Sequence, residues 1–396
     1  MNTKQKKYFI KKQKKRLKRK LKLSFYKKKI FKKNNKKTKK TRKISKRQLI
    51  YLERKEILQE LYKKFNYSEK NFVISISNEL GLEKNGNRDY YLNIASQIID
   101  FNNKALIFDL EKCSKIWPSG ITLLCSLKKW VELSNRFSIN IKRPRIASTS
   151  PRDNKVESYL SHCGFYDYVG RPYVSQLSKH YSEDDIVKIK REEAKSKFEL
   201  KDIVENRENE IIELLEKHST FDVEQIELFN SVILTEIINN ILEHGITYND
   251  QGWWILAQHH ETTKIISLCI ADNGIGIRNS LTTGPQKEDI LKKKIPNNPF
   301  NDGKFIEMAM NENVSGSTKA IKKEKEYLIF YNYPKGSRRG NGLSRIKESC
   351  IELKIPLTIL SHNGYLFQDI EGSIDSGSKS NRVFAGTLYQ LNIPAK

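Results

Sequence analysis

Aspartate and glutamate are missing from the first 50 residues, which hold 25 Lys and Arg. A stretch charged with one sign repels itself and has too little apolar surface to bury, so a folded domain there is excluded. The other 346 residues (396 − 50) carry 48 basic residues (73 − 25) and all 46 acidic ones, so the net charge of +27 falls to +2 (27 − 25). No run of 18 apolar residues occurs, so no transmembrane segment is expected. The start lacks an apolar central region, so no secretory signal is expected. The five cysteines, Cys113, Cys125, Cys163, Cys269 and Cys350, are odd in number and form no CxxC pair. Most lie in apolar runs and read as reduced, buried thiols of a cytoplasmic protein.

The arm at residues 1–48 interleaves its lysines with Tyr8, Phe9, Phe25, Tyr26 and Phe31. Three readings stay open. Lysines bind DNA or RNA phosphates while aromatic rings stack on bases. The same charge suits an anionic membrane surface. The plainest reading is a solubilising tail, or a start codon set too early. Residues 49–69 follow as a charged linker helix, with Leu49, Leu52, Ile57, Leu58 and Leu61 near helical spacing.

A first domain is expected over 70–170, in which strands and helices alternate, so its class is α/β. Asn71–Ser77 and Ala105–Leu110 read as strands, and Tyr90–Phe101 as an amphipathic helix. Pro118 opens a helix running to about Leu133, with Ser119 beside it as a cap. Val156–Tyr168 reads as one further helix. Three stretches carry a resemblance: Phe108-Asp-Leu-Glu111, Ile116-Trp-Pro-Ser-Gly-Ile-Thr-Leu-Leu124 and Tyr159-Leu-Ser-His-Cys-Gly-Phe-Tyr166. They resemble the STAS family of anti-sigma-factor antagonists. That resemblance makes Ser119 a possible phosphoacceptor, although the family's Asp two residues earlier is Trp117 here. Residues 171–220 are expected as a connector, with a strand at 184–190 and a helix at 201–217.

The second domain is expected over 221–396. Its helix at 225–244 has a broad apolar face of Ile226, Phe229, Val232, Ile233, Ile237, Ile241 and Leu242. Glu236 and Asn240, four residues apart, project from one side of it. Such a pair also arises by chance on surface helices. Thr263–Ala271 is a strand rich in β-branched residues, and it delivers Asp272 at its end. Asp272-Asn-Gly274 alone reads as a hairpin turn. Later, Lys335–Lys347 places Gly340 and Gly342 at the opening of a helix, where free N–H groups suit an anion. Ala385-Gly-Thr387 then enters a last strand.

Taken in order, these boxes resemble the nucleotide site of the GHKL (Bergerat-fold) ATPases. The fold implied is an α/β sandwich (α+β), and the cofactors implied are ATP and Mg²⁺. The resemblance makes Asn240 the metal ligand and Glu236 the general base. It makes Asp272 the acceptor for the adenine amino group, supported by Thr387 through a water. Gly274 and Gly276 allow the backbone to approach the base, and Gly340 and Gly342 sit under the phosphates. Ser344 replaces a frequent family glycine. Residues 278–339 take the place of the ATP lid, with a helix at Phe305–Met310 and with Arg338 and Arg339 as solvated surface or as contacts to the γ-phosphate.

No histidine has the His-Glu…Pro setting of a histidine kinase phosphoacceptor. The wording Thr235-Glu-Ile-Ile-Asn-Asn-Ile-Leu-Glu-His-Gly245 is most similar to the anti-sigma-factor serine kinases. A regulatory ATPase or serine/threonine kinase-like switch coupled to the STAS-like domain is therefore expected, with a regulatory protein as a possible partner. The alternative is a nucleotide-gated binding module with little turnover that holds DNA or RNA through its arm.

Overall fold

The computed structural model describes residues 68–76, 78–82, 88–97, 103–137, 145–169, 185–190, 197–241, 252–283, 302–311, 342–378 and 384–396. The chain divides into two units, Met1–Leu49 and Ile50–Lys396. All described residues belong to the second. The basic arm, most of the expected linker helix, His244, Arg338, Arg339 and Gly340 lie outside them.

Three short parallel strands start the described chain: β1 (Ser68–Ser75), β3 (Asn103–Asp109) and β5 (Arg145–Ser148), ordered β1-β3-β5. A small parallel pair, β2 (Glu79–Leu80) and β4 (Lys115–Ile116), lies apart from them. Parallel strands need crossovers, and α1 (Arg88–Gln97) and α2 (Pro118–Phe137) run between successive strands. The helix expected over 156–168 is two helices, α3 (Asn154–His162) and α4 (Phe165–Val169). Gly164 breaks it: φ is +83°, and a Cβ there would lie 2.4 Å from the Ile189 carbonyl oxygen. A left-handed glycine ends one helix and lets the next start at a new angle.

The second sheet has seven strands in the order β11-β10-β9-β12-β8-β7-β6, with every neighbouring pair antiparallel. They are β6 (Ile186–Val187), β7 (Trp253–His260), β8 (Ile265–Asp272), β9 (Leu357–His362), β10 (Gly364–Gln368), β11 (Ile374–Ser378) and β12 (Phe384–Pro394). The expected connector therefore contributes an edge strand, β6, to this sheet. It also contributes α5 (Lys197–His218), whose Val204, Ile211, Leu214 and Leu215 join the same core.

Side chains alternate across these strands, so the sheet has two buried faces. One carries Ile255, Ala257, Ile266, Leu268, Ile270, Tyr389 and Leu391, packed with helices of its own half of the chain. Those helices are α5, α6 (Val223–Leu228), a wider π-helical turn at Phe229–Leu234, α7 (Thr235–Asn240), α8 (Gly276–Thr283), α9 (Asp302–Ala309) and α10 (Gly342–Glu352). Asp222 caps α6 through a reciprocal box with Gln225. The other face carries Trp254, Leu256, Cys269, Ala271, Leu360, Phe367 and Leu388, and it shares a core with α2 and the first sheet. The Trp254 ring meets Tyr168 edge-on at 6.1 Å, and Trp117 packs on His260 at 4.6 Å.

The fold is thus mixed α/β, and the two halves share a core through α2. Burying a Leu or Phe is worth about 1.5–3 kcal/mol, so Leu256, Leu360, Phe367 and Leu388 together carry roughly 6–12 kcal/mol. That rivals the whole stability of a typical domain, about 5–15 kcal/mol. Residues 185–396 expressed alone are therefore expected to aggregate or to melt well below the full chain. Scanning calorimetry of the two proteins checks this, and a fragment melting at the temperature of the full chain would show the halves to be independent.

All five cysteines are buried and free. Among the described residues, no helix is long and apolar enough to cross a membrane.

Candidate functional site

Asp272 ends β8 and points to the helical side of the sheet, in register with Thr387 of β12 and Trp253 of β7. It is 3% exposed. Its Oδ1 accepts from the Gly274 N–H at 2.6 Å, and the Thr387 backbone N–H also reaches the carboxyl group. Burial pushes the carboxyl up to about 7, and the two backbone donors pull it down by less. Burial has stripped this carboxyl of its water, and the two backbone N–H groups compensate only in part.

The turn after it is tightly built. Gly386 has φ +105°, and a Cβ there would sit 1.9 Å from the Asp272 carbonyl oxygen. This glycine lies where the β12–β9 register shifts, and the resulting bulge brings Thr387 alongside Asp272. Gly276 has φ +75°, and a Cβ there would strike the His362 ring at 2.1 Å. His362 Nε2 is 2.6 Å from the Ile275 carbonyl oxygen, and the Ile277 N–H donates to Ser361 Oγ at 2.9 Å. The end of β9 therefore fixes the start of α8.

Asn273 faces the other way. The Ser126 hydroxyl donates to its Oδ1 at 2.5 Å, and its Nδ2 donates to the Ser126 carbonyl oxygen at 3.2 Å. Ser126 lies on α2, so the first half of the chain grips the turn that carries Asp272 and Gly274.

Across the helical face, α7 presents Glu236 and Asn240 toward the first residue of α10. A Cβ on Gly342 would lie 2.9 Å from Glu236 Oε2 and 3.9 Å from Asn240 Oδ1. The three expected residues therefore meet, and glycine at 342 leaves the opening between them. Glu236 is 7% exposed, and its Oε1 accepts from Arg345 Nη1 at 2.7 Å. The Asn240 Nδ2 is buried, with the Tyr389 hydroxyl as a polar neighbour of that side chain. An amide oxygen and a carboxylate oxygen facing one gap fit a hard divalent cation such as Mg²⁺, which takes oxygen ligands.

Tyr389 joins the two clusters. It lies on β12 two residues beyond Thr387, hence on the same face. Its buried hydroxyl lies beside the Asn240 side chain and feels the Asp272 charge; burial pushes its ionisation well above the usual value, and Asp272 adds to that.

Sequence reasoning missed four of these residues. Arg345, three after Gly342, lies one helical turn along. Tyr389 was legible from strand alternation. Ser126 carried no signal, because nothing in an apolar helix names its partner. Gly386 lies inside the Ala385-Gly-Thr387 box, but nothing local shows its contact with the Asp272 carbonyl. The helix expected in the lid is α9, and it is a core element: Phe305, Ile306 and Ala309 are buried. Asp302 fixes it, with Oδ1 bonded to Arg278 at 2.9 Å and Oδ2 accepting from the Asn363 N–H at 3.1 Å. Ser119, the possible phosphoacceptor, is wholly buried; its Oγ accepts from the Leu82 N–H at 2.8 Å. In this conformation no kinase reaches that hydroxyl.

No protein-family model, no curated protein and no solved structure matches this chain.

Proposed function

We propose that this chain binds ATP with Mg²⁺ in a GHKL-type site and acts as a regulatory ATPase or serine/threonine kinase-like switch. In this reading a GHKL domain is joined to a STAS-like one in the cytoplasm. The observation that carries it is Asp272: a buried carboxyl at a strand end, bracketed by the Gly274 and Thr387 N–H groups and facing the helix layer that carries Glu236 and Asn240.

The roles follow from chemistry. A carboxylate accepts a hydrogen bond from the adenine amino group, where guanine offers a carbonyl instead. Gly342 opens α10, so its end of the helix dipole favours phosphate. Asn240 would hold the Mg²⁺, whose charge would offset that of the phosphates. Glu236 takes the proton of the attacking water or hydroxyl. The Asn273–Ser126 clasp gives the STAS-like half a direct hold on the adenine turn, and so a route for reading nucleotide state.

One observation favours a second reading, a nucleotide-gated binder with little turnover. Arg345 occupies Glu236 Oε1, and an ion-paired carboxylate is a weaker base. In that reading the basic arm holds DNA or RNA. Both are tested by incubating the purified protein with γ-labelled ATP and scoring retained nucleotide, free phosphate and labelled protein. Retention with slow phosphate release or with labelled Ser or Thr is expected; no retention removes the proposal. Retention without turnover, together with nucleic-acid binding that weakens steeply with salt and is lost on deleting residues 2–48, selects the second reading.

A further inference from the structure

The far end of the same sheet carries a second cluster of ligand-type side chains. His218 ends α5, Asp185 directly precedes the edge strand β6, and His259 lies near the end of β7. A ring nitrogen of each histidine and a carboxylate oxygen of Asp185 all lie within 4.8 Å of one another. The His218 Nε2 is 3.0 Å from Asp185 Oδ1, and the His259 Nδ1 is 3.9 Å from the same oxygen. The two rings stack at 4.2 Å, only 21° from parallel.

Hydrogen bonding does not account for this convergence. The Nε2 atoms of both histidines are buried, and neither makes a hydrogen bond to a described residue. At 3.0 Å from a carboxylate, the His218 nitrogen is close enough for a bond but poorly aligned for one. Buried polar atoms are nearly always paired, so the His218 Nε2, orphaned beside a carboxylate, asks for a missing partner. A cation bound by the His218 Nε2, by the His259 Nδ1 that faces Asp185 and by the carboxylate would satisfy it.

We propose that Asp185, His218 and His259 form a binding site for a divalent transition-metal ion of the zinc class. Two imidazole nitrogens and one carboxylate oxygen select against Mg²⁺ and Ca²⁺, which prefer oxygen. Ligands at about 2.0–2.2 Å from tetrahedral zinc lie roughly 3.4 Å apart, so side-chain rotations that splay the two stacked rings close the present spacing. The three side chains retain 12–29% of their exposure, which leaves an entry path and room for a water as fourth ligand.

The site is separate from the nucleotide one. Asp272 pairs with Trp253 at one end of β7, and His259 pairs with Ile266, six residues along β8. At about 3.4 Å per residue that is roughly 20 Å. The ion would tie the edge strand β6 to its neighbour β7 and to the end of α5. The chain's last residues are held at the same place, with the Lys396 N–H donating to the His218 carbonyl oxygen at 2.9 Å.

The test uses the full chain, stripped with a chelator and titrated with Zn²⁺ against a chromophoric chelator, with Co²⁺ as a spectroscopic probe. One equivalent is expected to bind, with a Co²⁺ spectrum of nitrogen and oxygen ligands and a higher melting temperature. His218→Gln and His259→Gln should each weaken Zn²⁺ at least tenfold and remove the melting shift. His162→Gln, on α3, should bind as wild type does. Asp185→Asn, at the most exposed of the three positions, supplies the reading if a histidine variant fails to fold. No stoichiometric binding, a thiolate band in the Co²⁺ spectrum, or full affinity in the triad variants would overturn the assignment.

Discussion

Asp272→Asn is expected to make the nucleotide-free protein more stable at pH 8 while weakening ATP at least tenfold. The folded carboxyl titrates near 7 instead of 3.8 because burial disfavours its charge. Between about pH 4 and pH 7 the folded state keeps a proton that the unfolded chain has released. Stability therefore falls as pH rises through that window, and it is level above it. At about 1.4 kcal/mol per unit, the cost above pH 7 is about 4 kcal/mol. Asparagine carries no charge to desolvate, and its amide oxygen can still accept from the Gly274 and Thr387 N–H groups. The variant's advantage in urea unfolding should thus be small near pH 4 and grow to its full size by pH 8. Its amide N–H₂ would meet the adenine amino group donor to donor, and a tenfold loss is about 1.4 kcal/mol. Calorimetry at one pH reads the binding. Equal stability at pH 8, or unchanged ATP affinity in the folded variant, would each remove one half of the argument.

That trade-off also explains what was legible beforehand. Asp272, Glu236 and Asn240 stand out because their boxes, taken in order, resemble the GHKL site; a strand ending at Asp272 and a four-residue helical spacing only place them. Local sequence records such patterns directly. It does not record which surface an apolar helix covers. Leu123, Leu124, Cys125 and Leu127 announce a buried α2, yet nothing in them names the back of the second sheet as the partner. The same gap hid the place of β6: a strand is expected at 184–190, but nothing in those residues names β7, about 70 residues later, as its partner. Gly164 was the readable miss, since a glycine between apolar turns is a common helix stop. The π-helical turn at Phe229–Leu234 was not readable, because it changes the hydrogen-bond register without altering the apolar composition.

Glu236→Ala is expected to keep ATP and lose its turnover, by about 10²–10⁴-fold if a general base is removed. The base acts on the nucleophile's proton, so ground-state nucleotide binding has little reason to change. Asn240→Ala should weaken both, through loss of the metal. Arg345 adds a finding that the helix pattern did not anticipate. Its guanidinium holds Glu236 Oε1 at 2.7 Å and leaves Oε2 toward Gly342. A hydrogen bond to a charged group is worth about 1.5–3 kcal/mol, so releasing it strengthens the base. Arg345→Gln should therefore raise phosphate release several-fold at unchanged ATP affinity, in protein whose melting confirms that it is folded. Slower release would instead make Arg345 a residue that positions Glu236. Normal turnover in Glu236→Ala would place the base on another side chain.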